Sequence, residues 1–124
     1  MRILYVEEHV ESCELLALWL GHSGYEVVSA NTVSEGVRLA ETGTFSVYIL
    51  SGHLIDGTGF DLCRQIRTFD SKTPIIFYSA LTRDADQEAA ANAGAQAYLI
   101  LPDDFERIEP TIRRLVKKLT LPPL

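Results

Sequence analysis

Five short apolar runs recur along the chain, and segments with helical periodicity separate them. The runs cover residues 3–6, 27–30, 47–50, 75–78 and 97–100. They are rich in β-branched and aromatic residues and alternate little with polar ones, which is typical of strands buried on both faces. Such alternation of strand and helix predicts an α/β fold, with a doubly wound parallel sheet covered by helices on both sides.

The segments between the runs carry signals for helix ends. Thr32 has the spacing of an N-cap with Glu35 as its capping-box partner, and Gly43 lies where that helix should stop. Gly94 closes a later helix, and Pro110 must lie in the first turn of the last one. Apolar stripes at helical spacing are predicted at Leu15, Leu16, Trp19 and Leu20, at Leu62, Ile66 and Phe69, at Ala85, Ala89, Ala90 and Ala93, and at Ile108, Ile112, Leu115, Val116 and Leu119.

Composition narrows the class of protein. The chain has 124 residues and a net charge of -6, so it is long enough for one core and too acidic for nonspecific binding to nucleic acid. No apolar run approaches the roughly 20 residues of a membrane span, and no leader pattern is present. We therefore expect a cytoplasmic domain over residues 1–120, followed by a frayed tail over 121–124, with no contact with membrane or nucleic acid.

The two cysteines do not indicate a disulfide or a metal site. Cys13 and Cys63 each fall within an apolar helical pattern. Neither has a second cysteine or a histidine at the spacing of a zinc site. We predict that both are buried small hydrophobic residues.

In a doubly wound sheet, the functional crevice lies at the carboxyl ends of the strands. The candidate site residues are therefore those that directly follow the apolar runs. They are Glu7, Glu8, Ser51, Gly52, His53, Ser79, Ala80, Leu101 and Pro102.

Several segments then follow one another in a characteristic order. The acidic pair Glu7 and Glu8 ends the first run, residues 51–59 form a glycine-containing loop, Ser79 ends the fourth run, and residues 98–102 end in Leu-Pro. Their order and spacing resemble the CheY-like receiver domains of bacterial response regulators over nearly the whole chain. The resemblance implies a flavodoxin-like fold with strand order 2-1-3-4-5, five helices and a role in two-component phosphorelay signal transduction.

The resemblance also implies a chemical site, and this sequence departs from it. Family members use an aspartate that accepts the phosphoryl group, Mg²⁺ on acidic side chains, a lysine, and a Ser/Thr hydroxyl. Here Ser51 occupies the aspartate position, Leu101 the lysine position and Ile55 the position of a loop proline. Glu7 and Glu8 retain the acidic pair, but the site has lost one carboxylate, so we expect Mg²⁺ to bind weakly or not at all.

Two further positions match the family. Ser79 corresponds to the hydroxyl and Tyr98 to the aromatic ring that couple phosphorylation to the surface formed by the fourth helix, fifth strand and fifth helix. Tyr98 is either such a switch or a half-buried strand tyrosine with its hydroxyl at the surface. Glu7 and Glu8 are either metal ligands or a solvated acidic patch.

The combined interpretation is a non-enzymatic pseudo-receiver that acts without phosphorylation. It binds a signalling protein through the fourth helix, fifth strand and fifth helix, as a monomer or weak homodimer. The alternative is a magnesium-assisted phosphoacceptor that uses Ser51, with His53 as the nearby base, or a neighbour such as Asp56. A flavodoxin-like cofactor binder is disfavoured, because no phosphate-binding loop follows the first run.

Overall fold

The computed structural model describes residues 1–120, and the predicted tail over 121–124 lies outside the described residues. The strands are β1 (Arg2–Val6), β2 (Glu26–Ala30), β3 (Val47–Leu50), β4 (His53–Leu54), β5 (Gly57–Thr58), β6 (Ile75–Ser79) and β7 (Ala97–Ile100). The helices are α1 (Val10–Gly21), α2 (Val33–Thr42), α3 (Gly59–Arg67), α4 (Asp84–Ala93) and α5 (Ile108–Thr120), with a short 3₁₀ helix at Phe105–Arg107.

The main sheet has the order β2-β1-β3-β6-β7, and all of its strands are parallel. This is the order 2-1-3-4-5 of the five apolar runs, so the predicted fold is confirmed. Val6 pairs with Ala30 on one side and with Leu50 on the other, which places the carboxyl ends of the central strands side by side. The small antiparallel hairpin of β4 and β5 was not predicted.

Helices cover both faces of the sheet. Ile3 and Tyr5 of β1 pack towards α1 and α5, whereas Leu4 and Val6 pack towards α2, α3 and α4. Successive side chains on a strand point to opposite faces, so one strand contributes to both halves of the core. Among the described residues, no helix is long and apolar enough to cross a membrane.

Each of the four predicted apolar stripes is partly wrong, and the first of them lies in α1. In α1 the buried side chains are Cys13, Leu16 and Leu20, whereas Leu15 is 57% exposed and Trp19 is 45% exposed. Leu15 precedes Leu16 by about 100° around the helix axis, so both cannot face the same sheet. Trp19 instead packs against Phe105, with ring centroids 5.3 Å apart.

The ends of the helices agree better with the predictions made from the sequence. The Thr32 hydroxyl accepts a hydrogen bond from the Glu35 amide at 3.1 Å, as the capping-box pattern predicts. Gly43 and Gly94 directly follow α2 and α4, and Pro110 lies in the first turn of α5. The predicted stripe of α3 extends too far, because this helix ends at Arg67 and Phe69 beyond it is exposed.

The alanine stripe of α4 and the last position of the α5 stripe also need correction. Ala90 and Ala93 are buried, but Ala85 is exposed, and Asp86 occupies the buried position one turn before Ala90. Leu119 is exposed at the end of α5. Cys13 and Cys63 are buried free thiols, as predicted, and burial raises the pKa of Cys63 to about 11.

Candidate functional site

A cleft of about 240 Å³ opens at the carboxyl ends of the central strands, and we call it the Ser51 cleft. It brings together most of the predicted candidate residues, whereas Gly52, Pro102 and Tyr98 are not part of its wall. Its lining residues are Glu7, Glu8, His9, Ser12, Ser51, His53, Ser79, Ala80, Leu81 and Leu101. His9 and Ser12 were missed by the sequence reasoning, although a count of one turn into the helix after β1 would have placed them there.

Ser51 follows β3 directly and is only 8% exposed. Its amide donates to the Val6 carbonyl at 3.0 Å, which continues the pairing between β3 and β1 and fixes the backbone of the residue. Its hydroxyl donates to the backbone carbonyl oxygen of His53 at 3.3 Å. The side chain of His53 is exposed in β4. The hydroxyl is therefore directed to an acceptor that cannot remove its proton.

Two glycines hold the loop after Ser51 close to the rest of the site. A Cβ atom on Gly59 would lie 2.0 Å from the Ser51 carbonyl oxygen. A Cβ atom on Gly52 would lie 2.7 Å from the Ser79 hydroxyl oxygen and 2.8 Å from a methyl group of Leu81. Side chains at these positions would push the loop away, so glycine is required for close packing at both.

The acidic pair is divided between buried and partly exposed positions. Glu7 is only 3% exposed, and one of its carboxylate oxygens lies 3.5 Å from Nδ1 of His9. The expectation of a solvated acidic patch is therefore wrong for Glu7, because the turn into α1 covers this carboxylate with His9. Glu8 is partly exposed. Within residues 1–120, no group of three or more His, Cys, Asp or Glu side chains is arranged to hold a metal ion.

The hydroxyls of Ser79 and Tyr98 contact the same loop. Ser79 accepts hydrogen bonds from the amides of Gly52, at 3.3 Å, and Leu81, at 3.2 Å. Tyr98 donates from its hydroxyl to the Leu81 carbonyl oxygen at 2.8 Å, and its ring stacks parallel to Phe77. Burial raises the pKa of Tyr98. Its hydroxyl is thus bound to the backbone of this loop, and the side chain is partly buried.

Asp56 does not belong to the cleft. Its carboxylate accepts hydrogen bonds from the amides of Val33, at 2.6 Å, and Ser34, at 3.2 Å, at the start of α2. The hydrogen bond from Val33, supported by those from Ser34, holds the pKa of Asp56 below its ordinary value. Asp56 thus caps a helix and attaches the hairpin of β4 and β5 to it, a role that the sequence reasoning missed.

Together, the parallel sheet and a cleft after β1, β3 and β6 define a doubly wound α/β protein with its site at the carboxyl ends of the strands. Residues 3–113 match the model of the response regulator receiver domain. The chain therefore belongs to the response regulator receiver domain family.

Individual relatives agree with this assignment. The chain is 32% identical over 116 residues to response regulator ArlR of Staphylococcus epidermidis, covering 94% of this chain and 52% of that protein. The chain thus spans about half the length of the curated relatives that it matches.

Solved structures show the same fold. A two-component response regulator from Clostridium difficile superposes with a TM-score of 0.92 at 23% identity, covering 98% of this chain and 99% of that one. The receiver domain of sensor histidine kinase PA1611 from Pseudomonas aeruginosa superposes with a TM-score of 0.85 at 24% identity, covering 94% and 97%. That protein coordinates a magnesium ion in its active site cleft.

Proposed function

We propose that this receiver domain transmits a signal by protein contact and without phosphorylation. The observation that carries the proposal is the state of Ser51. Its hydroxyl donates to the His53 backbone carbonyl, an acceptor that cannot take up its proton. A serine hydroxyl is a weak nucleophile unless an adjacent base activates it.

The surroundings of Ser51 support the same conclusion. Leu101, at the position of the family's lysine, lines the cleft without a charge or a donor for phosphoryl oxygens. Phosphoryl transfer depends on neutralising the charge of the transferred group, and a leucine cannot do this.

Magnesium binding should be weak or absent, in contrast to the PA1611 receiver. The cleft offers the carboxylates of Glu7 and Glu8, one of which lies against His9, and Ser51 adds only a neutral hydroxyl. Mg²⁺ requires near-octahedral coordination by oxygen atoms and gives up its water molecules reluctantly. This donor set does not fit a tightly held magnesium ion, and no step of the proposal depends on one.

The arrangement of Ser79 and Tyr98 favours one fixed conformation. Both hydroxyls are hydrogen-bonded to the loop that contains Leu81, and the Tyr98 ring is stacked on Phe77. A switch needs a trigger that binds one conformation more tightly than the other. Without a phosphoryl group on Ser51, this pair holds the surface in a single state that a partner can recognise.

An amide NMR titration, first with Mg²⁺ and then with beryllofluoride, tests the proposal. We expect no saturable shift with either addition. Shifts that cluster at Glu7, Glu8, Ser51 and Ser79 and spread to Tyr98 would contradict it. They would instead support the magnesium-assisted phosphoacceptor. That second function would have to use Ser51, because Asp56 is engaged at the start of α2.

The contact surface remains the face formed by α4, β7 and α5, as the family resemblance implies. The exposed large apolar side chains favour a second surface, because several of them lie on α1. They are Val10, Leu15, Leu18 and Trp19.

Sedimentation measurements distinguish the two surfaces for a weak homodimer. Leu119→Glu should reduce self-association if α5 forms the contact, whereas Leu18→Glu should reduce it if α1 does. Persistence of the same dimer in both variants would contradict both assignments.

A cytoplasmic location stays a prediction.

A further inference from the structure

A second cleft lies on the other side of Leu101, and we call it the Tyr5 cleft. It has a volume of about 220 Å³ and lies between α1 and the segment that follows β7. Its wall includes Tyr5, Leu16, Tyr78, Leu101 and Phe105. Leu101 and Ser12 line both this cleft and the Ser51 cleft, so a change in one cleft reaches the wall of the other.

The hydroxyl of Tyr5 distinguishes this cleft. The Tyr5 side chain is 0% exposed, and its hydroxyl oxygen has no hydrogen-bond partner within residues 1–120. By contrast, Tyr25, Tyr48 and Tyr98 donate from their hydroxyls to Glu109, Asp70 and Leu81. A buried hydroxyl without a partner is costly, and such a group in a native protein needs an explanation.

Size and charge restrict what could supply the missing acceptor. A cavity of about 150 Å³ holds a benzene molecule, so the Tyr5 cleft has room for one ring with a small substituent. Among the described residues, the side chains that line the cleft are uncharged. The carboxylates of Glu7, Asp103 and Asp104 act on the phenols of the cleft and, after burial, contribute to raising the pKa of Tyr5 and Tyr78. These carboxylates repel an anion, and a cation would have to give up its hydration in an apolar cleft whose lining side chains carry no charge to pair with it directly.

We propose that the Tyr5 cleft binds a small, neutral, largely apolar molecule of about one ring, whose carbonyl or hydroxyl oxygen accepts a hydrogen bond from Tyr5. The Tyr5 hydroxyl is enclosed in the free protein, so such a ligand reaches it by displacing a side chain of the cleft wall, and it then satisfies the buried hydroxyl and fills the apolar cleft at the same time. Because Leu101 separates the two clefts, an occupant of the Tyr5 cleft also fixes the wall of the Ser51 cleft. This inference depends on the geometry of the cleft and not on whether the domain is phosphorylated.

The test compares two probes that differ in one oxygen atom. Acetophenone carries a carbonyl acceptor, and ethylbenzene has nearly the same shape without it. Each is titrated into the whole chain and into two variants, Tyr5→Phe and the matched control Tyr25→Phe. The control removes a phenol that is bound to Glu109 and lies outside the cleft. Amide NMR shifts report both the affinity and the location of binding.

We expect acetophenone to produce saturable shifts at Leu16, Leu101 and Phe105. Tyr5→Phe should weaken this probe about tenfold, because a buried neutral hydrogen bond contributes about 1.4 kcal/mol, which is tenfold in Kd. The same variant should leave the affinity for ethylbenzene unchanged, and Tyr25→Phe should change neither. Benzoate should bind at least about tenfold more weakly than acetophenone, because its charge must be desolvated.

Three outcomes would overturn the proposal. The first is the absence of saturable shifts at the cleft, which would mean that no ligand of this class reaches the Tyr5 hydroxyl. The second is an equal loss of affinity for both probes in Tyr5→Phe, which would mean that the hydroxyl donates no hydrogen bond to the bound molecule. The third is the appearance of amide shifts at the cleft only when a protein partner is added and with neither small probe. That result would make the cleft part of a docking surface.

Discussion

The Ser51 cleft and the Tyr5 cleft are separated by one leucine and have nearly equal volumes, yet their polar groups are in opposite states. In the Ser51 cleft the hydroxyls of Ser51 and Ser79 are hydrogen-bonded to the backbone of the same domain. In the Tyr5 cleft a fully buried hydroxyl has no partner within residues 1–120. The comparison shows that two adjacent clefts of similar size can differ in whether the hydroxyls of their walls have hydrogen-bond partners.

Restoring the family's charged groups should have the largest effect on this contrast. In Ser51→Asp combined with Leu101→Lys, we expect phosphorylation by acetyl phosphate with Mg²⁺ to rise from undetectable to a level seen by intact-protein mass spectrometry. The aspartate restores a nucleophile and a ligand, and the lysine restores a counter-charge. The single variants are the controls and should remain unlabelled. If the double variant also remains unlabelled, Ile55 or the glutamates must block the site as well.

A single added methyl group should disrupt the close packing of the loop that follows Ser51. Gly59→Ala should lower the free energy of unfolding by about 3 kcal/mol, because the new Cβ collides with the Ser51 carbonyl and the loop must move. Gly21→Ala is the control, since a Cβ there meets no atom within 4 Å, and it should be neutral or slightly stabilising. Urea denaturation measures both. Equal stability of the two variants would show that the loop is not closely packed.

Removing the Tyr5 hydroxyl should change the free energy of unfolding even when no ligand is present. Tyr5→Phe should raise the free energy of unfolding by about 1 kcal/mol, because it removes a buried hydroxyl without a partner. Tyr48→Phe should lower it by about 1 kcal/mol, since the Tyr48 hydroxyl donates to Asp70 at 2.8 Å. Thermal unfolding without added ligand measures the pair. A loss of stability in Tyr5→Phe would mean that this hydroxyl already has a stabilising partner.

The smallest effect is expected at the position where the family carries out its chemistry. Ser51→Ala removes one hydrogen bond of 3.3 Å within a loop, so self-association and partner binding should change by less than about twofold. Sedimentation of the variant beside the unchanged protein tests the expectation. Thr58→Ala is a useful comparison, because it removes the N-cap of α3 without touching the cleft wall. A large loss in Ser51→Ala alone would show that the pocket takes part in signalling.

Much of the fold and part of the site could be predicted from the sequence. The apolar runs predict strands buried on both faces, and the residues that follow them converge because the strands are parallel and aligned. Ser51 and Leu101 accordingly line the same cleft. Helix ends at Thr32 and Gly94 were also predictable, since capping depends on local geometry.

Contacts between distant segments were not predictable, because they depend on how elements pack in three dimensions. The sequence pattern alone did not distinguish the buried Glu7 from the partly exposed Glu8, nor the buried Leu16 from the exposed Leu15. The attachment of Asp56 to the start of α2 requires the unpredicted hairpin of β4 and β5.

The residue types and their order determined the α/β class, the parallel sheet and the presence of Ser51 and Leu101 directly after the third and fifth apolar runs. These features are encoded by local periodicity and by single positions, and both can be read along the chain. Only the tertiary structure decided which hydroxyls have partners. Ser51, Ser79 and Tyr98 find theirs in the loops beyond the strands, whereas Tyr5 of β1 is enclosed by α1, β6 and the segment after β7. A hydrogen bond requires atoms within about 3 Å of each other, and packing alone brings such distant residues together.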